Sequence, residues 1–427
     1  MKRLIITMIL VAAMMVVTKA QAPITRRTTA PPPTANTQPS STSDRTTASR
    51  DRTLRRTRRP AQQNQAQTTR INYNKYSKAL VDAANKGDAE AQFALGNFYY
   101  RGEGVPASVE DACAWWCKAA ENGKTEAMVM SGICYYYGLG VKENKYTAYD
   151  QFHAAAQNNN YLAMKYLGDC HRFGIGAEKD FAMAYEWYRR SAEGGNDEGQ
   201  FRFGQALHQG IGCEYNYGLA VEWFIKSAKQ GNSGAMAEIG LAYLDGRGLE
   251  KDYNAAVEWL SKAAAEDEET GQFGMGRCYL EGAGVEQNDE KAFEWFTKAA
   301  EQGLAEAQGY LGYCYENGFG TEKDLSEAVK WYTKSANGGF VWSRYRLGYC
   351  FWQEPKTGTR NVDLDKTAFE AFERAHEEGS VEGTFYLGQC YYYGIHMRKN
   401  KSKGLALITE ARDRGYDKAI EWFATNK

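Results

Sequence analysis

Residues 305–340 read AEAQGYLGYCYENGFGTEKDLSEAVKWYTKSANGGF, and this 36-residue pattern is written nine times along the chain. Its clearest marker is a glycine inside the first helical pattern, Gly312 in this copy. The first seven intervals between these glycines are 36 residues and the last is 40. A fixed period of this length indicates a stack of supersecondary units rather than one closed core. The repeat glycines are Gly96, Gly132, Gly168, Gly204, Gly240, Gly276, Gly312, Gly348 and Gly388.

Each copy contains two helical patterns separated by a glycine turn. In the first pattern, apolar and small residues from Ala307 to Tyr315 recur on one helical face. Gly318 then suits the left-handed conformation that often ends a helix. Asp324 precedes Glu327 by three residues, so it is predicted to cap the second helix while the glutamate reaches back.

The second helix carries a column of small residues and a column of tryptophans. Small side chains at the Ala328 position, opposite the glycine of the first helix, predict that the two helices approach closely. That packing offsets the roughly 1 kcal/mol that a mid-helix glycine costs. The tryptophans are predicted to form the core of the stack, because each can bury up to roughly 250 Å². They are Trp115, Trp187, Trp223, Trp259, Trp295 and Trp331.

The pattern A-x3-LG-x2-Y-x2-G-x-G-V-x3-D-x3-A-x2-WY-x-KAA-x2-G resembles the Sel1-like repeat, a relative of the tetratricopeptide repeat. Residues 91–123 and 305–339 match it almost position for position. The resemblance implies an all-α fold, an α/α solenoid whose right-handed superhelix lines a concave face with first helices. It also implies scaffold or adaptor roles, no cofactor and no catalytic residue.

The N-terminal region predicts export followed by a basic linker. Residues 1–22 have a short basic start, an apolar run and an Ala-Gln-Ala site, as secretory signal peptides do. An uncleaved anchor is the alternative. Residues 23–70 are rich in Thr, Pro and Arg and hold 10 Arg against two Asp, so they are predicted to be disordered. This linker is either plainly solvated or a contact for an anionic lipid or glycan surface; nucleic acid is not an expected partner.

Two caps are predicted to enclose the repeats. Residues 71–88 match a second helix without its first, and residues 417–427 begin a further unit and then stop. Nine repeats fill residues 89–416 between them. The eighth is interrupted by an insertion at residues 354–362, which makes this loop a candidate for a specialised contact.

The residues that usually carry catalysis are not arranged for it. Each Gly-x-Gly pair follows a helix rather than a strand, which indicates a turn and not a phosphate loop. The five histidines have no metal-ligand spacing, and no serine, cysteine or aspartate is paired with a base in the sequence. The prediction is therefore a non-enzymatic protein without metal or cofactor.

Six of the nine cysteines occupy one position of the first helix. Neighbouring helices lie roughly 8–10 Å apart, and a disulfide needs Cα atoms within about 7 Å, so members of this column should not bridge one another. They are predicted to be small buried core residues, and Cys117–Cys134 is the one pair expected to bond. The column consists of Cys134, Cys170, Cys278, Cys314, Cys350 and Cys390.

Partner-binding residues are predicted on the first helices, one, four and five places after each repeat glycine. These positions vary while the packing positions repeat, and they are rich in Tyr, Trp and Arg, which are common in binding hot spots. The alternative is that the aromatic rings pack between neighbouring first helices. The hot spot is expected in the eighth and ninth repeats, with a second patch near the front. The predicted residues are Tyr136, Tyr137, Arg172, Phe173, His208, Arg277, Tyr313, Tyr349, Trp352, Tyr392 and Tyr393.

Three functions fit this sequence. The first is an exported scaffold that binds a protein or peptide on the concave face. The second is a cell-envelope protein that binds carbohydrate through its aromatic rings and basic linker. The third is a regulator of an envelope enzyme.

Overall fold

The computed structural model describes residues 71–353 and 362–425. The predicted signal peptide and linker, residues 1–70, lie outside the described residues, and so does the inserted stretch 354–361. Within the described residues every regular element is an α-helix, twenty in all, and no strand is present. This confirms the all-α helical-repeat class.

The described residues form two compact units, which meet in the sequence between residues 158 and 159, and each is described by itself. The first unit contains α1 Lys78–Asn85, α2 Ala89–Arg101, α3 Val109–Glu121, α4 Thr125–Tyr137 and α5 Lys145–Gln157. The second unit contains α6 Tyr161–Phe173, α7 Phe181–Glu193, α8 Asp197–Gln209, α9 Tyr217–Ala228, α10 Ser233–Asp245, α11 Tyr253–Ala265, α12 Glu269–Glu281, α13 Asp289–Gln302, α14 Ala305–Asn317, α15 Leu325–Asn337, α16 Val341–Gln353, α17 Val362–Glu377, α18 Val381–Tyr393, α19 Lys401–Asp413 and α20 Asp417–Thr425.

Within each unit, a helix packs chiefly on the helices that precede and follow it in the chain. From α2 to α19 the even-numbered helices are the first helices of the repeats and the odd-numbered ones are the second helices. First helices of adjacent repeats also touch, as α6 touches α8 and α10 touches α12. This is the neighbour-to-neighbour packing of an α/α solenoid.

The repeat glycine lets the second helix press a large side chain against the first. A Cβ atom added to Gly168 would lie 2.4 Å from the ring of Tyr188, which leaves no room for any side chain. The residue that makes this contact stands one place after the tryptophan position in each second helix, and it is fully or almost fully buried in every repeat. The tryptophans themselves are only partly buried, so the prediction that they form the core is wrong by one position. The core residues are Trp116, Phe152, Tyr188, Phe224, Leu260, Phe296, Tyr332, Phe372 and Ile408.

The Gly-x-Gly pairs are turns, as predicted. Gly318 ends α14 with φ of +79°, and Gly320 follows with φ of +67°. A Cβ atom on Gly320 would lie 2.2 Å from the backbone oxygen of Asp289, at the start of the preceding repeat's second helix. Asp324 caps α15 as predicted, because its carboxylate accepts hydrogen bonds from two backbone N–H groups at 2.8 and 3.0 Å. Glu327 lies 2.6 Å from the Lys330 ammonium.

One disulfide joins the first repeat to the second, and its pairing differs from the prediction. Cys134 bonds to Cys113, with Cα atoms 6.1 Å apart, and not to Cys117. Cys113 and Cys134 are both fully buried where α3 packs on α4, whereas Cys117 lies one turn further along α3 with its sulfur 3.3 Å from the Ser131 hydroxyl. The expectation that Cys134 is only a core residue is therefore wrong.

The rest of the cysteine column is buried, as expected. Burial raises the pKa of the Cys278 thiol to about 11 and that of Cys314 to about 12, so both stay protonated at neutral pH. Cys113 has no counterpart in the other repeats, where tyrosine, valine, phenylalanine or leucine takes its position. The cysteine at position 113 is therefore what allows Cys134, among the six cysteines of the column, to form a disulfide.

Candidate partner-binding surface

The outward side of the first helices is not quite the one predicted. Four residues advance an α-helix by about 400°, so a residue four places after the glycine points only about 40° away from it. Accordingly, Leu244 and Glu316 at this position are 2% and 5% exposed. The side of the first helix that points away from the glycine, named here the first-helix face, lies two and six residues before the glycine and one and five after it. In the seventh repeat these residues are Glu306, Tyr310, Tyr313 and Asn317. The residue two places before the glycine is buried in five of the nine repeats, so exposure is greatest at the other three positions.

The predicted front patch is divided between the two compact units. In the first unit, the rings of Tyr136 and Tyr137 meet edge to face at 4.7 Å, and the Lys145 ammonium lies 4.3 Å from the centre of the Tyr136 ring. In the second unit, Arg172 donates to the Gln209 side-chain oxygen at 2.9 Å and lies 5.2 Å from the ring of Phe173. Phe173 is 59% exposed.

The middle repeats carry charged groups rather than rings. Arg277 pairs with Asp245 at 2.8 Å, between α12 and α10, and with Glu281 at 3.4 Å. His208 meets the ring of Tyr217 edge to face at 5.1 Å. Burial, together with the nearby Arg247 guanidinium, lowers the pKa of His208, so the imidazole is neutral at pH 7.

The aromatic cluster is densest across the seventh and eighth repeats and is built around one arginine. Arg346 forms an ion pair with the buried carboxylate of Glu316, which also accepts a hydrogen bond from the Tyr332 hydroxyl at 2.7 Å. Four rings surround the guanidinium with centres 5.1 to 5.9 Å away, and this arrangement fixes them in place. The four rings are those of Tyr313, Trp342, Tyr345 and Tyr349.

The cluster continues into an open cleft of about 510 Å³ between α16, α18 and α20. The ring of Tyr386 links the two, since it lies 5.4 Å from Tyr349 and 6.2 Å from Trp352. The Lys418 ammonium donates to the Tyr386 hydroxyl at 3.0 Å, and Gln389 supplies an amide to the cleft wall. The cleft therefore combines stacked rings with donors and acceptors.

Tyr392 and Tyr393 lie beside this cleft and contact its wall through Trp422. The rings of Tyr392 and Trp422 are 5.1 Å apart, and the Trp422 indole N–H donates to the Tyr393 hydroxyl at 3.3 Å. Trp352 is also part of the packing, because its ring contacts Phe372 at 5.9 Å. Some predicted residues thus serve both as surface and as contacts between helices.

Three residues of this surface were missed by sequence reasoning. Trp342 and Arg346 lie six and two places before the eighth repeat glycine, and Tyr386 lies two places before the ninth. The signal that reveals them is the helical spacing of the first-helix face, in steps of four, three and four residues.

The described ranges 71–353 and 362–425 contain no cluster of three His, Cys, Asp or Glu side chains able to hold a metal ion. In the same ranges, no helix has both the length and the apolar character needed to cross a bilayer. The surface described above combines aromatic rings, one buried ion pair and scattered polar groups.

Fold and surface together define an α/α helical-repeat scaffold, a class that generally mediates protein–protein interaction. Comparison with protein-family models shows that the chain belongs to the Sel1 repeat family, which is generally non-catalytic. Eight repeats match the family model, and the interrupted eighth repeat predicted from the sequence is not among them. The matched residues are 89–124, 125–160, 162–196, 197–232, 233–268, 270–304, 305–340 and 381–416.

Solved structures with the same kind of fold are also similar to this chain. One is a protective antigen of uropathogenic Escherichia coli strains displaying an SLR fold, with 28% identity, 82% of this chain and 81% of that chain covered, and a TM-score of 0.49. Another is a Sel1 repeat protein from Oxalobacter formigenes, with 27% identity, 56% and 96% covered, and a TM-score of 0.46. A search of curated protein sequences returned no significant match.

Proposed function

We propose that this protein is an exported, non-enzymatic scaffold that binds a protein or peptide partner on the first-helix face of its last three repeats. The observation that carries the proposal is the partly exposed aromatic cluster of Tyr313, Trp342 and Tyr349 around Arg346, which the buried ring of Tyr386 supports from behind. Tyrosine, tryptophan and arginine are the residues most enriched in binding hot spots. Export rests on the signal-peptide pattern of residues 1–22.

Pre-organisation is the second support. Each ring of the cluster is at least partly buried against a neighbour, so little side-chain freedom remains to be lost when a partner binds. Ordering a mobile side chain at an interface costs about 0.5–1.5 kcal/mol, and a ring that is already fixed avoids much of this cost. The cleft of about 510 Å³ offers the concave place in which one anchoring side chain can sit.

The test compares a cleft variant with a surface variant of equal chemistry. Gln389→Arg places a longer charged side chain into the cleft, and Glu322→Arg changes an exposed loop residue. A partner is first isolated from envelope extract with full-length protein, and its affinity for each variant is then measured. We expect Gln389→Arg to weaken binding at least about tenfold, as loss of a hot spot does, and Glu322→Arg to leave it unchanged. Equal affinity for both variants and wild type would refute this site.

A carbohydrate ligand is the second candidate, because the same cleft pairs the partly exposed rings of Tyr349 and Trp352 with Gln389, Lys418 and Glu421. Retention of the protein on an envelope-glycan resin, lost in Gln389→Arg, would favour this function. Retention that depends instead on residues 23–70 would favour contact of the basic linker with an anionic surface. A partner that proves to be an enzyme would make the protein its regulator through the same face.

A further inference from the structure

A tryptophan covered by a cation recurs on the second helices. In six repeats the tryptophan column is followed three residues later by a lysine or arginine, whose charged group lies 3.5 to 5.1 Å from the centre of the indole ring. The indole is partly buried and the cation is exposed. The pairs are Trp115–Lys118, Trp187–Arg190, Trp223–Lys226, Trp259–Lys262, Trp295–Lys298 and Trp331–Lys334.

The eighth repeat keeps the cation and lacks the ring. Its tryptophan position holds Ala371, and its cation position holds the exposed Arg374. The second and ninth repeats also lack the tryptophan, but there the cation position holds Ala154 and Glu410. Only the eighth repeat, therefore, combines a missing indole with a retained cation.

A cavity of about 230 Å³ lies where the indole of the other repeats would sit. Ala371 and Arg374 line it, and so do Ala336 of the preceding second helix and Leu347 of the same repeat. The rest of its wall is polar or charged and consists of Thr333, Asn337, Arg344, Thr367 and Glu370. One repeat earlier, the residues equivalent to Ala336 and Leu347 belong to the cluster against which Trp331 packs. The cavity walls are thus the walls of a tryptophan slot.

Residues 354–366, which include the insertion, contain no Phe, Tyr, Trp or His, so this stretch of sequence has no aromatic side chain to fill the slot. A buried apolar cavity of about 150 Å³ is already large enough to bind benzene, so a slot of this volume has room for a bicyclic ring. A guanidinium at its rim would add a cation–π contact.

We propose that this slot, named here the α17 slot, receives an aromatic side chain of a partner protein, an indole foremost. The partner ring would take the place that Trp331 holds in the preceding repeat, with Arg374 over its face as Lys334 lies over Trp331 at 3.8 Å. This site is separate from the first-helix face, because it is lined mainly by the second helices α15 and α17. It would let the scaffold hold one partner at two places.

The test uses full-length protein with N-acetyl-tryptophanamide as the probe and N-acetyl-leucinamide as its comparison, both titrated by calorimetry. We expect one equivalent of the tryptophan probe to bind, and the leucine probe to bind at least about fivefold more weakly, since it gains no cation–π contact. No saturable binding of the tryptophan probe, or equal affinity for the two probes, would overturn the proposal.

Substitutions in the α17 slot test whether the tryptophan probe binds there. Ala371→Trp should fill the slot, weaken probe binding at least about tenfold and raise the melting temperature by about 2–6 °C. Arg374→Gln should weaken binding about two- to fivefold, while Lys334→Gln, its matched control over Trp331, should leave it unchanged. If Ala371→Trp does not fold, Trp331→Ala takes its place, because it opens a second slot and should raise the stoichiometry to two. Probe affinity that is the same in Ala371→Trp and Arg374→Gln as in wild type would refute the site.

Discussion

Replacement of Arg346 by methionine removes the charge that compensates a buried carboxylate. The Arg346 side chain is 13% exposed and that of Glu316 only 6%, so water can solvate neither group well. Removing one partner of a buried ion pair costs about 3–5 kcal/mol. Because Tyr332 still donates to the remaining carboxylate at 2.7 Å, we expect the lower end, about 3 kcal/mol of unfolding free energy at pH 8.

Removing the charge of the remaining carboxylate tests the cause of this loss. Glu316→Gln added to Arg346→Met should recover part of the lost stability, because the neutral amide leaves no buried charge without a partner.

The assay is urea unfolding followed by far-ultraviolet circular dichroism at pH 8. Arg189→Met is the matched control, because Arg189 pairs with Glu186 and Glu193 while its side chain is 38% exposed, and exposed pairs contribute about 0–1 kcal/mol. Equal losses in Arg346→Met and Arg189→Met would refute the reasoning. So would the absence of any recovery of stability when Glu316→Gln is added to Arg346→Met.

Three further perturbations test the fold. Gly312→Leu should lower the free energy of unfolding in urea by about 3 kcal/mol, because a Cβ atom there would already lie 3.0 Å from a core ring. The exposed control Glu322→Ala should change it by less than about 0.5 kcal/mol, and similar losses in the two variants would contradict the packing. Val257 precedes Cys278 by 21 residues, as Cys113 precedes Cys134 in the native disulfide. Mass spectrometry of Val257→Cys should therefore find a second disulfide, and a free thiol at this position would argue against equivalent geometry in the two repeats. Burial raises the pKa of Glu268 from 4.5 to about 7, so the stability that its neutral form provides is lost as pH rises through 7. Glu268→Gln should therefore be more stable than wild type by about 1 kcal/mol at pH 8 and equally stable at pH 4. The same difference in stability at both pH values would contradict this assignment.

The sequence predicted the helical repeat because small residues recur at fixed places. A glycine such as Gly168 tolerates no side chain and recurs in all nine copies, and Gly320, which touches the preceding repeat's backbone, recurs in the first seven. The core was misplaced by one residue because two large residues stand side by side on the second helix. Periodicity alone does not say which of Trp331 and Tyr332 faces the glycine, since each fits a helical stripe.

The residues of the aromatic cluster were predicted in part. Tyr313 and Tyr349 lie one place after the glycine and belong to the aromatic cluster as placed by the structure, while Trp342 and Arg346 precede it and were missed. The reason is that the charge of Arg346 is meaningful only beside Glu316, thirty residues earlier in the chain. The disulfide shows the same limit, because choosing Cys113 over Cys117 requires knowing which side of α3 faces α4.

Hydrogen–deuterium exchange of the full-length protein, with and without its captured partner, tests the central claim most directly because it reports on each helix separately. Binding on the first-helix face of the last three repeats predicts slower exchange in their first helices α14, α16 and α18, and in α20, which lines the cleft, with α11 and α13 unchanged. Protection confined to second helices such as α11 and α13, or to residues 1–70, would contradict it.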